Sequence, residues 1–500
     1  MNRLYLTALA GLSLTLAAGA TAHAAVYSLN DATATVSTDQ TTDTIDIGSN
    51  ETYGAGVTVD NGGNPVTWTN TGDMHVGYND GSSTPASVTY DYFQLNSGAS
   101  LYNSGVAYLG WGANKRVGAQ ISDGAYWQNG GYLQVSDGGP TGLGDSLLVY
   151  GQLDTLAGGS IGIGAQSNGT ATVQGPAAQW TNTTFPLEVG SVGGNGTLDV
   201  TETSTLSTPW LMVGTGTGYN SAVSSGQLTV QGDSYYAAFG QSTASTVTIG
   251  DYLSIGEYGG SGTVDVQDLG RVNINSRILL GLPDTSNPGA VGIGTLNVHA
   301  GGRVTVGSKV ESWAGSTVDV SDGGHLLIGL GNVDTITDGT VQVGPGGTLA
   351  GTGAVIGNVV VNGGEVSPGH SPGLLTVTGD LTLDPSSTLT IQIGGTGAGQ
   401  FDQLNASGAL ALAGTLNLEF IDGYTPPVGS PMSFDMFSAG NGITGGFQSV
   451  QVTGLGGGRV TLDPTALASG QLAFTAAVPE PASLGLLVVA AGALLRRRRA

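Results

Sequence analysis

The residues best suited to chemistry in this sequence are a serine and a histidine in two separate segments. Ser146 lies in the segment GDSL, and His325 ends the segment DGGH. A serine hydroxyl becomes a nucleophile when a general base lies within hydrogen-bonding distance. This pair could therefore catalyse acyl transfer if the fold brought the two side chains together.

Both segments, however, look like parts of a repeated structure. Together they resemble the serine and histidine blocks of GDSL esterases, a family with an α/β fold. Yet SDGGH from Ser321 is similar to HAGGR from His299 and to SDGGP from Ser136, which indicates a recurring turn. Between Val26 and Val478 no helical period of 3.6 residues is sustained, so an α/β fold is excluded. We therefore predict that this pair is not catalytic.

Other enzyme and metal signatures are missing as well. Glycoside hydrolases with a β-helix fold would show Asn-Thr-Asp, Asp-Asp, Gly-His-Gly and Arg-x-Lys segments, and none occurs in the sequence. Polysaccharide lyases of that fold need basic residues, but Lys115-Arg116 is the only basic pair between the termini. Two segments approach the calcium nonapeptide, with Leu198 and Val264 in place of its aspartate. We predict no enzyme, no cofactor and no nameable metal site, and leave weak surface binding of Ca²⁺ open.

The charge balance argues against one class of partner. The 500 residues include 12 Lys and Arg and 36 Asp and Glu, which gives a net charge of −24. Without Arg3, Glu480 and the four terminal arginines, 7 basic and 35 acidic residues remain, a net charge of −28. We therefore expect no nucleic-acid partner, because phosphate binding needs basic surfaces. Cysteine is absent, so disulfides and thiolate metal sites are excluded.

Residues 1–24 have the pattern of a secretory signal peptide. Arg3 precedes an apolar stretch from Leu4 to Ala18, and Ala22-His23-Ala24 supplies a cleavage pattern of small residues. We predict that this segment is removed on export and takes no part in the fold.

Residues 25–345 contain short repeats that predict strands. Seven segments, from MHVG at Met74 to VQVG at Val341 and including VTVG and LLIG, place two apolar residues before a glycine, and WTNT occurs at both Trp68 and Trp180. Five others are alternating strands that begin with Gly169, Gly196, Gly226, Gly262 and Gly294. Alternation indicates one buried face, and constant strand cores with variable spacing favour a β-solenoid over a β-propeller.

Residues 346–475 continue the strands with shorter periods. The segment GTLAGTGAVIGNVVVNGGEVSPGHSPGLLTVTGDLTL from Gly347 resembles the autotransporter-associated β-strand repeat of bacterial passenger domains. The resemblance implies an all-β fold, a right-handed parallel β-helix. We expect the segment from Ile421 to Phe437 to form a β-rich cap. No outer-membrane barrel sequence follows, so we do not expect self-translocation.

Residues 478–500 combine three features in a fixed order. Pro479-Glu480-Pro481 precedes 14 apolar or small residues, 482–495, which are followed by Arg496, Arg497, Arg498 and Arg499. A helix of about 21 Å is short for a bilayer core of about 30 Å, but arginine side chains can extend its reach. The arginines would stay on the cytoplasmic side. We predict a short transmembrane helix that leaves the body outside.

This order resembles the PEP-CTERM sorting signal. In that family an exosortase, a membrane protease of Gram-negative bacteria, recognises the motif and processes the protein for the cell surface or matrix. The resemblance implies that Pro479, Glu480 and Pro481 are the recognition motif and that the arginine cluster is a membrane stop. The implied partners are an exosortase and, transiently, the inner membrane. A plain tail anchor is the alternative.

Aromatic residues cluster between Tyr53 and Tyr132, and the sequence does not decide whether they bind a ligand. Exposed rings could stack on sugars of an exopolysaccharide, whereas buried rings would close the first coils. The cluster includes Trp68, Tyr90, Tyr92, Phe93, Trp111, Tyr126 and Trp127. We predict an exported structural or adhesive protein of the cell surface or biofilm matrix. The alternative is a polysaccharide-binding module, with Trp111 and Trp127 as its test positions, or a polysaccharide-active β-helix.

Overall fold

The computed structural model consists almost entirely of short strands. It describes residues 5–8, 13–16, 23–24, 26–29, 33–48, 55–60, 62–78, 89–111, 115–137, 144–216, 223–233, 244–284, 290–321, 323–328, 340–369, 372–455 and 458–477. Three long sheets, here A, B and C, contain 17, 17 and 16 of these strands. A smaller sheet of three strands and a 3-10 helix, Pro464–Ser469, lie near the C-terminal end.

Within each long sheet, every strand pairs in parallel with strands from neighbouring coils. Sheet A consists of Tyr5–Ala8, Val26–Leu29, Ile45–Ile47, Met74–Tyr78, Ala107–Trp111, Leu133–Asp137, Gly159–Ile163, Leu187–Ser191, Leu211–Thr215, Leu253–Glu257, Arg277–Leu280, Lys309–Ser312, Thr340–Val343, Asn358–Val361, Leu381–Leu383, Leu410–Leu412 and Ile443–Gly445. Sheet B consists of Ser13–Leu16, Thr33–Val36, Gly56–Val59, Thr89–Leu95, Lys115–Ile121, Gly144–Val149, Asn168–Gln174, Asn195–Thr201, Ser225–Gln231, Ser261–Gln267, Ile293–Val298, Thr317–Val320, Thr348–Gly351, Glu365–Pro368, Thr388–Ile393, Thr415–Phe420 and Ser449–Thr453. Sheet C consists of His23–Ala24, Gln40–Thr42, Val66–Asn70, Ala99–Asn103, Tyr126–Asn129, Gln152–Thr155, Gln179–Asn182, Thr205–Thr208, Thr246–Ile249, Arg271–Ile274, Arg303–Val306, His325–Ile328, Ala354–Ile356, Leu374–Val377, Gln403–Ala406 and Phe437–Ala439.

The chain visits sheets A, B and C in turn, so three consecutive strands make one coil. We number the coils from the one that begins at Tyr5, and the last of the 17 has strands only in sheets A and B. Successive coils are separated by the usual distance between paired strands, about 4.8 Å. This architecture is a parallel β-helix, which confirms the all-β prediction. Right-handed winding, the usual hand of parallel crossovers, stays a prediction.

Alternate residues of each strand point inward and form columns along the helix axis. One column of sheet C alternates tryptophan with leucine from coil to coil, and its members are in register and buried. They are Trp68, Leu101, Trp127, Leu153, Trp180 and Leu206. A large ring in one coil therefore packs against smaller side chains in the next, which fills the interior at the density of a protein core.

A second column, two residues further along the same strands, contains buried amide and hydroxyl groups. Asn70 Nδ2 donates to Asn103 Oδ1 at 2.6 Å, and Asn103 Nδ2 donates to Asn129 Oδ1 at 2.6 Å. Farther along, Asn182 Nδ2 donates to Thr208 Oγ1 at 2.9 Å. An unpaired buried amide would cost about 1–3 kcal/mol, so the ladder stabilises this register over a slipped one.

Repeated glycines form the corner between sheets A and B. Gly190 and Gly214 occupy the same position in successive sheet A strands, with φ values of 70° and 73°. An added Cβ on Gly196 of sheet B would overlap the backbones of Gly190 and Ile161, and one on Gly226 would overlap Gly214. Both repeat blocks therefore need glycine because two backbones touch at this corner.

A small antiparallel sheet follows at the C-terminal end. Pro431–Asp435 and Arg459–Asp463 both pair with Gln471–Ala477. Phe474 stacks on Phe434 with ring centroids 5.6 Å apart and contacts Phe420 of sheet B edge-on at 5.9 Å. These rings join the small sheet to the last coils, and the predicted cap segment contributes one of its strands.

Backbone pairing is continuous across two predicted boundaries. Thr340–Val343 pairs with Asn358–Val361 on either side of the boundary at 345/346. Tyr5–Ala8 pairs with Val26–Leu29, so part of the predicted signal peptide extends sheet A in the uncleaved chain. Its removal on export and the domain boundaries stay predictions.

The structure corrects two groupings of repeat segments that the sequence analysis treated as equivalent. VTVG at Val304 and LLIG at Leu326 belong to sheet C, whereas LEVG at Leu187 belongs to sheet A. SDGGP from Ser136 begins within a sheet A strand, so it is not the same turn as SDGGH. Strands of all three sheets share the same apolar alternation, and four residues cannot distinguish them.

We predict that Gly196→Ala destabilises the β-helix, although the φ of Gly196 is not positive. The methyl group would meet backbone atoms that cannot move without displacing a coil, a penalty of at least about 2 kcal/mol. Gly144→Ala is the matched control, because the nearest atom to its added Cβ is Asn168 O at 3.9 Å. Urea denaturation midpoints measure both, and equal midpoints for the two variants would refute the corner contact.

Candidate functional site

The outer face of sheet B forms a cleft across coils 4 to 6. Its strands are Thr89–Leu95, Lys115–Ile121 and Gly144–Val149, and its volume is about 230 Å³. The outward side chains offer two phenol rings, two amides, a hydroxyl and one aliphatic group, from Tyr90, Tyr92, Gln94, Gln120, Ser146 and Leu148. We term this surface the tyrosine cleft.

Two glycines give the tyrosine rings their space. The Tyr92 ring lies over Gly56, and an added Cβ on Gly118 would be 2.6 Å from the Tyr90 hydroxyl. Tyr90 remains 55% exposed, so most of its ring is available to a ligand. Arg116 is exposed and in register with Tyr90, which puts a positive charge at the rim.

The floor of the cleft belongs to the core of the helix. Phe93 lies between the two tyrosines and Gln94 in sequence, points inward and is buried. Its ring meets Trp127 edge-on, with centroids 5.9 Å apart. The cleft therefore rests on close-packed aromatic rings, which hold its backbone in place before any ligand arrives.

Two buried aspartates tie the cleft strands to their neighbours. Ala55 N–H donates to Asp91 Oδ1 at 2.8 Å, and Val117 N–H donates to Asp145 Oδ1 at 2.7 Å. Asp145 is in register with Gly169, so a carboxylate fills the corner where later coils have glycine. Burial raises the pKa of Asp145 to about 7, and hydrogen bonds to the carboxylate offset this only in part.

The geometry separates Ser146 from His325, which agrees with the prediction that this pair is not catalytic. Ser146 lies in the tyrosine cleft in coil 6, whereas His325 begins the sheet C strand of coil 12. Six coils correspond to about 29 Å along the axis. The described residues that line the cleft include no histidine or carboxylate. Ser146 can therefore donate and accept hydrogen bonds there, but no described residue of the lining could act as its general base.

The glycines before His325 form a turn, as the sequence predicted. Gly324 N–H donates to Ser321 O at 2.7 Å, and Gly302 N–H donates to His299 O at 2.8 Å one coil earlier. The two segments therefore form equivalent corners between sheets B and C in successive coils. Asp322 lies outside the described residues.

The aromatic cluster divides between core and surface. Trp68, Phe93 and Trp127 are buried, as the core interpretation expects, so Trp127 cannot stack on a sugar as the binding-module alternative required. Trp127-x-Asn129 repeats the pattern Trp68-x-Asn70, which could have identified it as a core position. Tyr90, Tyr92, Tyr126 and Trp111 remain at the surface.

Trp111 belongs to a separate group on sheet A. Its ring contacts Tyr108 edge-on at 4.7 Å, and Tyr108 stacks on His75 at 5.2 Å. His75 Nδ1 in turn lies 2.7 Å from Asp46 Oδ1. These groups are partners of one another rather than parts of the tyrosine cleft.

The described part of the chain contains no group of three or more histidine or acidic side chains that could hold a metal ion. It also contains no helix with the length and hydropathy to cross a bilayer. The predicted sorting motif, Pro479 to Pro481, the predicted helix at 482–495 and Arg496 to Arg499 all lie outside the described residues.

Comparison with known proteins gives one informative similarity. No protein-family profile matches the chain. A stretch of 159 residues is 31% identical to the adhesin BmaC autotransporter of Brucella suis biovar 1 (strain 1330). The match covers 27% of this chain and 5% of that much longer protein. It agrees with the predicted resemblance to autotransporter passengers, and it relates part of the chain to an adhesin rather than to an enzyme.

We predict that Asp145→Asn stabilises the protein at pH 8 but not at pH 4. The folded pKa of Asp145 is about 7 against an ordinary value of 3.8. The stability linked to its protonated form is therefore complete below pH 4 and is lost as the pH rises to about 7. Asparagine cannot ionise and keeps the oxygen that accepts from Val117.

Thermal or urea denaturation at the two pH values measures this effect. The variant should gain roughly 2–4 kcal/mol relative to the wild-type protein between pH 4 and pH 8. A stability difference that is the same at both pH values would contradict it.

Proposed function

We propose that this chain is an exported, non-enzymatic adhesive protein of the cell surface or extracellular matrix. The observation that carries the proposal is a parallel β-helix whose sequence matches part of an autotransporter adhesin. A long, narrow helix places many outward side chains along one axis, which suits attachment to an extended surface or polymer.

The tyrosine cleft is the proposed attachment site on sheet B. Its rings present flat apolar faces, while Gln94, Gln120 and Ser146 supply donors and acceptors around them. Sugars combine apolar C–H faces with hydroxyl groups, so a ring beside amide groups matches their chemistry. At about 230 Å³ the cleft is smaller than the roughly 300–1,000 Å³ typical of small-molecule sites, which suits one or two sugar rings.

The C-terminal segment is proposed to deliver the protein to this location. An exosortase would recognise Pro479, Glu480 and Pro481 while the apolar segment and its arginines hold the chain in the inner membrane. Processing would then release the β-helix to the cell surface or matrix, where exopolysaccharide is the proposed partner. The support for this route is the order of the three features in the sequence.

The polysaccharide-active alternative has less support. Paired-carboxylate catalysis needs two carboxyl groups facing one sugar ring. The described lining of the tyrosine cleft has none, and the two aspartates of its strands, Asp91 and Asp145, point into the core.

Binding of the full-length protein to a glycan array tests the attachment site. We predict that Tyr90→Ala and Tyr92→Ala each weaken binding by about tenfold or more, because each removes one ring face. Tyr102→Ala is the matched control, since Tyr102 is an exposed tyrosine on sheet C. A control variant that loses as much binding as the cleft variants, or a wild-type protein that binds no glycan, would refute the cleft proposal.

Co-expression with an exosortase in a Gram-negative host tests the sorting route. We predict that wild-type protein is released without Arg496 to Arg499, and that changing Pro479, Glu480 and Pro481 together to alanine keeps the protein in the membrane fraction. Pro426→Ala/Pro427→Ala is the control and should be released normally. Mass spectrometry of the released protein decides the outcome, and an intact arginine tail would contradict processing.

A further inference from the structure

Most basic residues in the body of this acidic chain lie within one short stretch of the β-helix. Four of the seven Lys and Arg between Arg3 and the terminal arginine cluster fall within residues 271–309. The β-helix places them in coils 10 to 12, at the two ends of the sheet C strands and the corner to sheet A. With a histidine of coil 12 they form what we term the basic face: Arg271, Arg277, Arg303, Lys309 and His325.

Basic side chains stand directly beside one another in this face. Arg271 is in register with Arg303, and Arg303 is in register with His325. Arg277 is likewise in register with Lys309. Adjacent coils lie about 4.8 Å apart, so each pair brings two basic side chains close together. Such pairs destabilise a sheet unless an anion lies between them.

The protein supplies few counter-charges to this face. Lys309 Nζ lies 2.7 Å from Glu311 Oε1, and within the described ranges this is the only ion pair that involves the five groups. Arg271 and Arg277 are exposed, and Arg303 is partly so. Two acidic residues lie near this face, Asp268 before Arg271 and Asp251 beside Ser276 of the next coil, and neither forms an ion pair with the five groups. Asp268 accepts from Gln231 at 3.0 Å, and Asp251 accepts from Trp210 at 2.9 Å.

Aromatic rings border the basic face at the same corner. Tyr252 directly precedes Leu253, which pairs with Ile278 in the sheet A strand that begins at Arg277, so Tyr252 and Arg277 are neighbours on adjacent coils. The Trp210 ring lies one coil earlier, with its centroid 6.5 Å from that of Tyr252. Between the two basic rows, Asn273 and Thr305 point outward and can bond to hydroxyl groups.

We propose that the basic face binds an acidic polysaccharide, a chain of carboxylated sugars. Its carboxylates lie between the paired cations, its hydroxyl groups meet the polar side chains of sheet C, and a sugar ring packs against Trp210 or Tyr252. Since the rest of the body is strongly negative, a polyanion is repelled elsewhere and attracted here. This proposal deepens the adhesive function by naming a ligand class and a second site.

A carbohydrate fits this face better than nucleic acid does. Tight binding to a duplex neutralises many successive phosphates, and five basic groups in a body of −28 provide too few. The rings of Trp210 and Tyr252 can also pack against a sugar ring, and the amide of Asn273 can hydrogen-bond to its hydroxyl groups. Duplex DNA nevertheless serves as a direct competitor in the test.

Binding of the full-length protein to immobilised polygalacturonate tests the inference, with neutral dextran and duplex DNA as comparison polymers. We expect binding to polygalacturonate alone. Arg303→Gln, at the centre of the stacked column, should weaken it about tenfold, and Arg271→Gln/Arg303→Gln should weaken it further. Arg303→Lys keeps the charge and should retain most of the binding. Arg459→Gln, an equal charge change on the C-terminal sheet, should have no effect.

Each contrary result has a distinct meaning. Equal loss in Arg459→Gln would show a general charge effect and overturn the site, as would dextran binding of equal strength. DNA binding that depends on Arg303 would overturn the ligand class. Absence of polygalacturonate binding, while the tyrosine cleft still binds glycans, would overturn this inference and leave the proposed function intact. Circular dichroism and denaturation midpoints confirm that each variant is folded.

Discussion

In-register pairing between successive coils is the constraint on which the rest of this structure depends. Parallel strands repeat each sequence position as a column along the axis, about 4.8 Å per coil. Inside, the columns must pack or hydrogen-bond with themselves, as the alternating Trp68 and Leu101 and the amide chain from Asn70 to Asn129 do. Because a slip of one residue would turn every core side chain outward, the interior fixes which surface residues become neighbours.

This constraint assembles surface chemistry from distant parts of the sequence. The tyrosine cleft combines three strands of sheet B in coils 4 to 6, and the basic face combines strands of sheets A and C in coils 10 to 12. About six coils, or roughly 29 Å, separate the centres of these two proposed sites, which is far enough for each to bind independently. Their chemistry also differs, since the cleft offers rings and amides and the other face offers cations. Two sugar-binding sites along one axis, as proposed, would suit the protein to cross-link a matrix.

Much of the fold was predictable because positions with strict steric limits permit only certain residue types, glycine above all. The five glycines from Gly169 to Gly294 were correctly aligned, since backbone contact at the corner permits no side chain there. Sheet membership was harder, because VTVG at Val304 and LEVG at Leu187 have the same alternation but lie on different sheets. Whether Trp127 lies in the core or at the surface was left open, although its spacing to Asn129 repeats that of Trp68 to Asn70 and so indicates a core position.

The surface sites were less predictable from single residues. Gly262 and Gly294 are 32 residues apart, and so are Arg271 and Arg303, and Arg277 and Lys309. Once the length of this coil is known, the shared offset of 32 residues shows that the basic residues of successive coils lie side by side. Without the fold the offset predicts nothing, because the loops vary in length from coil to coil. The tyrosine cleft depends on which neighbours are glycine, which only the register reveals.

The register that creates the basic face can be tested by disulfide cross-linking, because the chain has no cysteine of its own. Arg271 and Arg303 are paired positions, so Arg271→Cys/Arg303→Cys places two Cα atoms about 4.8 Å apart, within the disulfide range of roughly 4.4–6.8 Å. Thr246→Cys/Arg303→Cys spans two coils and exceeds it. Mild oxidation followed by mass spectrometry of the monomer should show a disulfide in the first variant and free thiols in the second. A disulfide in the second alone, or in neither, would contradict the parallel, in-register β-helix.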